Sequence, residues 1–233
     1  MRTFTKLVFG FALMSFAIIA CKEEKDSANK EEATTEQKES NKEEIGSEDK
    51  SESAAVLNAN LATEEELKNG GISSEMLAQI LEKRPFLKMN DLDALVSDGE
   101  DRVALYKKIF VPFNLNTTAK EDFKMIPGVG DRMAHEFDEY RPYTSIQQFR
   151  REIGKYVDED EVARYENYVF VPVELNTASE EDIKALPGVG GRMAHEFEEY
   201  RPYTNMAQFR KEIGKYVDDK ELARLERFVY LKE

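Results

Sequence analysis

The feature that most constrains this chain is an internal repeat with a period of 60 residues. Pro127-Gly128-Val129-Gly130, followed by Arg132-Met133-Ala134-His135-Glu136-Phe137, returns as Pro187-Gly188-Val189-Gly190, followed by Arg192-Met193-Ala194-His195-Glu196-Phe197. Between 127–157 and 187–217 only six of 31 positions differ: 131, 138, 145, 146, 147 and 151. A fixed period of this length requires a supersecondary unit built more than once, with neighbouring copies burying one another's apolar faces. Apolar endings mark the joints, at Ile109-Phe110-Val111-Pro112, Val169-Phe170-Val171-Pro172 and Val229-Tyr230-Leu231. They divide the folded part into 56–113, 114–172 and 173–233. Each of the first two endings runs straight into an Asn-bearing start, so adjacent units are expected to stack.

The third unit reads as helices joined by turns. Thr177 with Glu180 three residues on has the form of a capping box, and the acidic run Glu180-Glu181-Asp182 suits the positive end of a helix. Pro187 ends that helix, because the residue before a proline is biased away from the α region. Gly188 and Gly190 allow positive φ on both sides of Val189, which points inward. Met193, Ala194, Phe197 and Tyr200 then share one helical face, and Arg201-Pro202 closes it. A third helix near 205–212 buries Met206, Phe209 and Ile213. A fourth, near 218–228, presents Leu222, Leu225 and Phe228. No strands of note are expected, and the fold class is all-α.

The N-terminal fifth has a different character. Arg2 and Lys6 head an apolar run from Leu7 to Ala20, the pattern of a secretory signal rather than a spanning helix. It ends at Ile18-Ile19-Ala20-Cys21, which resembles the lipobox of bacterial lipoproteins. That resemblance implies cleavage before Cys21, lipid on its thiol and amine, and retention on a membrane. Cys21 is the only cysteine, so no disulfide forms within the chain and a zinc cluster is not expected. Residues 21–55 then form a tether. Its run 22–54 carries 6 basic and 12 acidic residues, a net of −6, and Ile45 is its one large apolar residue. Such a segment cannot bury enough surface to offset chain entropy and is expected to stay disordered and extended.

In both 115–169 and 175–229, Leu-Asn-Thr leads to an acidic helix. An Ile/Leu-Pro-Gly-Val-Gly turn and a helix ending in Tyr-Arg-Pro follow. This joint pattern resembles the helix-hairpin-helix modules of the competence DNA receptor (ComEA-like) family. The resemblance implies that hairpin backbone amides and the following helix N-terminus grip a phosphate of double-stranded DNA without reading its sequence. It lands on Gly128, Val129, Gly130 and Arg132, and on Gly188, Val189, Gly190 and Arg192. Close backbone approach at glycine and free amides at a helix start are the right chemistry for an oxyanion. The first unit is divergent, with Gly71-Ile72-Ser73 at the hairpin position and Arg84-Pro85-Phe86 as the later landmark; it is expected to cap the stack. The second hairpin of each repeat, Ile153-Gly154-Lys155-Tyr156 or Ile213-Gly214-Lys215-Tyr216, has one glycine and is expected to pack rather than grip.

Charge argues the other way. The chain is −14 overall; the second unit is −4 (8 basic, 12 acidic) and the third −3 (10 basic, 13 acidic). Phosphate binding usually draws its affinity from cations that displace counterions, so an acidic module must rely on a local basic spot. Asp131 opposes this beside the middle hairpin, whereas Gly191 replaces it in the third, which is expected to be the better site. His135-Glu136 and His195-Glu196 lack the second histidine of a zinc protease helix and are expected on a solvated face. Tyr140, Tyr143, Tyr200 and Tyr203 can stack on bases, but their places beside proline suit module packing better. No nucleophile, base and orienter assemble, so neither enzyme activity, cofactor nor metal is expected. The expected partners are double-stranded DNA and, through the lipid, a membrane of the bacterial cell envelope, with the outer membrane as the favoured site. The alternative is an envelope protein docking on the Tyr-Arg-Pro-Tyr surface, with the hairpins purely structural.

Overall fold

A computed structural model describes residues 56–232; the leader, Cys21 and the charged run up to residue 55 lie outside them. The first unit runs β1 (Leu57–Asn58), α1 (Glu64–Asn69), α2 (Ser74–Lys83), α3 (Met89–Asp93), α4 (Arg102–Tyr106) and β2 (Ile109–Phe110). The second has β3 (Phe113–Asn114), a 3-10 helix (Lys120–Met125), α5 (Asp131–Glu139), α6 (Ile146–Ile153), α7 (Glu159–Glu166) and β4 (Val169–Phe170). The third repeats the plan with β5 (Val173–Glu174), α8 (Glu180–Lys184), α9 (Gly191–Glu199), α10 (Met206–Ile213), α11 (Asp219–Glu226) and β6 (Val229–Tyr230). The fold is helix-rich, in keeping with the all-α class. No described helix is long and apolar enough to cross a membrane.

The strands are an addition to the expected helices. In each unit the two-residue start pairs parallel with the two-residue end, as Leu57 with Ile109, Phe113 with Val169 and Val173 with Val229. The apolar endings that mark the joints in the sequence are therefore clasps that bring a unit's two ends together. β3 straddles the 113/114 boundary. Each clasp is backed by one asparagine. Asn116 donates to Tyr143 O (2.8 Å) and accepts from Tyr143 N (2.7 Å), and Asn60 with Phe86 and Asn176 with Tyr203 repeat this pair. The arginine of each Arg-Pro landmark reaches back to the same loop, through Arg84 Nε to Ala59 O, Arg141 Nε to Leu115 O and Arg201 Nε to Leu175 O. The Asn-bearing start and the Arg-Pro turn are thus two halves of one hydrogen-bonded lock.

Helix starts follow the capping rules with one displacement. The Thr177–Glu180 box does not form: Thr177 donates to Glu174 (2.6 Å), and Ser179, two residues on, caps α8 by accepting from Asp182 N. The equivalent Thr63 closes α1 with a full box to Glu66. Ala119 stands at that place in the second unit, offers no side-chain cap, and is followed by the 3-10 helix rather than an α-helix. α8 also stops at Lys184, ahead of Pro187.

One apolar cluster runs from Ala59 to Val171 and so serves the first two units together; a second, from Phe170 to Val229, serves the third. Phe137 is fully buried against Phe123 (5.3 Å), Phe149 (5.6 Å) and Tyr165 (5.3 Å). Truncating such a ring costs about 3–5 kcal/mol. Phe110 packs edge-on to Phe113 and Tyr168 across the first joint, and Phe170 to Phe228 across the second. The third unit also touches the first: Arg227 donates to Phe86 O (3.3 Å) and Pro112 O (3.2 Å). It meets the second where Ile146 N donates to Asp182 Oδ1 (3.2 Å). Each unit therefore meets both others. The expected stack closes on itself, and the divergent first unit is a full partner rather than an end cap.

Candidate nucleic-acid interface

The two Gly-Val-Gly hairpins are built the same way. Val129 and Val189 are buried and their amides donate to Ile126 O and Leu186 O, both at 3.0 Å. Gly128 (φ +84°) and Gly188 (φ +73°) take the left-handed conformation, which an L side chain would strain. The second glycine does not. Gly130 (φ −96°, ψ −176°) and Gly190 (φ −82°, ψ 173°) are extended, so the expectation of positive φ on both sides of the valine is corrected. Any residue could adopt that backbone, and a Cβ at Gly130 or Gly190 would meet nothing within 4 Å. What the glycine provides is a bare helix start.

That bareness stands out. Of the described helices with eight or more residues, α2, α6, α7, α10 and α11 are closed by the side chains of Ser73, Ser145, Asp158, Asn205 and Asp218. Only α5 and α9 start on a glycine with no side-chain cap. The amides of their first turns have no partner inside the helix and no side-chain cap, and the positive end of the helix dipole lies behind them. That arrangement can receive an oxyanion.

The side chains around the two starts differ. At the middle hairpin, Lys124 bridges Glu121 and Asp131 (3.0 Å to Asp131), and these two carboxylates hold its ammonium above its ordinary value. Arg132 lies over the Tyr156 ring at 5.8 Å. At the third hairpin, Lys184 pairs with Glu180, and its side chain comes within 3.5 Å of where a Cβ on Gly191 would be. Arg192 is exposed on the opening turn. The third start thus has two basic side chains and no acid in place of Asp131.

Two further neighbours were not evident from the motif. Arg224 is fully buried under the third hairpin, donating to Pro187 O (2.6 Å) and, in a bidentate pair, to Glu221. Leu61 of the first unit lies against Gly188, with its Cδ atoms 2.7 and 2.9 Å from where a Cβ would be. The i, i+3 acid–base spacing of Glu221 and Arg224 was readable in the sequence; the Leu61 seat was not.

The remaining predicted side chains sort differently. His135 and His195 are exposed and lie beside Glu139 (3.1 Å) and Glu199 (3.7 Å), as a solvated face requires. Glu136 and Glu196 do not share that face. They are buried, each with an Oε2 atom that has no partner, beside the Tyr140–Tyr156 and Tyr200–Tyr216 hydroxyl pairs (2.7 and 2.8 Å). The hydrogen bond to Tyr140, with the Glu136 carboxylate beside it, holds the Tyr156 phenol above its usual value. Tyr143 and Tyr203 are core residues. The single-glycine turns at Gly154 and Gly214 are helix C-caps whose added Cβ would strike the carbonyl four residues back, at 2.7 and 2.6 Å.

Residues 169–230 match the family model of the helix-hairpin-helix motif. That stretch is the third unit with its clasp and the hairpin at Gly188. The motif is commonly a nucleic-acid-binding element, which is compatible with DNA binding that does not read sequence. No curated protein and no solved structure matches the chain.

Proposed function

We infer that this chain is a lipid-anchored envelope protein that binds double-stranded DNA through hairpin backbone amides, without sequence preference. The observation that carries the reading is the pair of bare helix starts, α5 and α9, among described residues whose other helices of eight or more residues are capped by side chains. A phosphate seated there accepts from first-turn amides, while Arg192 and Lys184 supply charge at the third hairpin. The role is binding rather than catalysis. The anchor rests on the Ile18-Ile19-Ala20-Cys21 run, and DNA uptake at the outer membrane is the setting that such an anchor and such a module suggest together.

Fluorescence anisotropy of the full chain with two unrelated duplexes at low salt tests this. Expected Kd values are roughly 10⁻⁴ to 10⁻⁶ M, alike for both sequences, with a shallow salt dependence because few cations are displaced. No binding across that range sinks the DNA reading. A competing reading is favoured by the charge of −14 and by Leu61 on Gly188: the hairpins are structural joints, and an envelope protein docks on the Tyr-Arg-Pro-Tyr surface. The anchor is tested separately, since Cys21→Ser should leave the membrane fraction after a high-salt wash.

A further inference from the structure

All three units meet around a cavity of about 400 Å³ that the hairpin reading does not use. Lys88 and Asn90 line it from the first unit, Asn114, Thr117 and Asp122 from the second, and Arg227 alone from the third. The volume lies at the low end of small-ligand pockets, which run from roughly 300 to 1,000 Å³. Its charge is unusual for this protein. Arg227 and Lys88 against Asp122 give a net of +1 (2 − 1) in a chain of −14.

Arg227 is the centre of the argument. Its guanidinium lies over the Phe170 (5.6 Å) and Phe228 (5.8 Å) rings and donates to two neutral carbonyls, Phe86 O and Pro112 O. Among the described residues no carboxylate forms an ion pair with it. Burial, with the nearby Arg224 adding repulsion against a smaller pull from Asp91, pushes Arg227 down to about 10. A desolvated cation met only by carbonyl oxygens is short of countercharge, and a bound anion would supply it.

We propose that this cavity binds inorganic phosphate or a phosphate monoester, with Arg227 and Lys88 as the cations and Asn90, Asn114 and Thr117 as neutral donors. Asn114 already spends its Oδ1 accepting from Asn116 N (2.9 Å), which leaves its amide group as a donor. Asp122 selects the ligand class. A carboxylate in an anion site repels sulfate, which carries no proton near neutral pH. Hydrogen phosphate and monoesters keep one over part of that range and can donate it to Asp122. A DNA phosphodiester has none to donate, so the cavity is distinct in chemistry from the hairpins.

Thermal unfolding of the full chain in phosphate, sulfate and chloride at matched ionic strength tests this. The expected result is a saturable rise in Tm of about 3–6 °C in phosphate at roughly tenfold Kd, and less than half of that in sulfate. Lys88→Glu should abolish the phosphate rise with little change in chloride, since Lys88 is an exposed side chain. Asp122→Asn should bring sulfate level with phosphate. Arg192→Glu should keep the rise intact. A wild-type protein with no phosphate-specific rise overturns the proposal, as does a rise that survives Lys88→Glu. Loss of the rise in Arg192→Glu would overturn it too, by placing the anion at the hairpin.

Discussion

The first and third hairpins share a backbone and differ in one side chain that decides what the helix start can do. Gly71 (φ +71°) stands where Gly188 does, Ile72 is buried as Val189 is, and Ser73 occupies the extended N-cap place of Gly190. Ser73 Oγ accepts from Met76 N (3.2 Å), so α2 caps one amide of its own first turn. Gly190 has no side chain, and α9 leaves its first turn for something else. The divergent unit has kept the fold of the hairpin and closed its mouth. Geometry common to both is therefore structural, and the functional content of the motif lies in what is missing at the second glycine.

The largest expected effect breaks the geometry the two hairpins share. Gly188→Val forces a β-branched residue to φ +73° and drives it into Leu61, 2.7 Å from the new Cβ. Strain of about 1–3 kcal/mol at such a φ adds to about 1–3 kcal/mol for overpacking. A fall in Tm of roughly 5–15 °C should follow. Gly71→Val pays the φ strain alone, because its nearest neighbour is the flexible tip of Lys108 at 3.3 Å. Its Tm should fall by about half as much. Equal losses in differential scanning calorimetry would mean that the Leu61 seat contributes nothing.

Much of this was legible in the sequence, for physical reasons. The helices near 205–212 and 218–228 show in the spacing of their apolar residues, and the structure starts them at Asn205 and Asp218, whose short polar side chains compete well for first-turn amides. Val129 and Val189 were readable as inward anchors between two glycines. The clasping strands were not, since two residues are too few to show any alternation. Nor was the role of the second glycine: its φ is a property of the folded turn, and the sequence cannot distinguish a glycine needed for its backbone from one needed for its bareness. The return of the third unit onto the first, through Arg227 and Leu61, links residues more than 100 positions apart and left no periodic trace.

A medium effect separates the two Gly-Val-Gly hairpins from each other. Arg192→Glu puts a carboxylate on the opening turn of α9 and should weaken duplex DNA roughly tenfold, the scale of one charge-assisted hydrogen bond. Arg132→Glu should weaken it two- to threefold at most, because Asp131 is already there and Lys124 is engaged with it. Both variants should melt within about 2 °C of wild type, as exposed substitutions usually do. Lys184→Gln should fall between them in affinity. Unchanged affinity in all three folded variants would remove the hairpins from the interface and leave the protein-docking reading in front.

The smallest effect is the sharpest, because it exchanges the N-cap side chain, Ser73 in one hairpin and Gly190 in the other. Gly190→Ser installs the Ser73 arrangement on α9. The backbone at φ −82°, ψ 173° accepts it without strain, and nothing lies within 4 Å of the new Cβ. The new hydroxyl can cap the third amide of the turn, which improves on glycine by a few tenths of a kcal/mol, and loss of glycine's freedom in the unfolded chain adds about 0.4–1 kcal/mol. Tm should therefore rise by about 1–4 °C. DNA affinity should fall about three- to fivefold, since the amide now has a partner of its own and the phosphate must displace it. Ser73→Gly is the mirror experiment: α2 loses its cap and a small amount of stability while gaining a bare start. It should not gain comparable affinity, because the first turn of α2 carries Glu75 and no basic residue matching Arg192. A stabilised Gly190→Ser protein that binds DNA as tightly as wild type would show that the open amides of α9 are not where the phosphate sits.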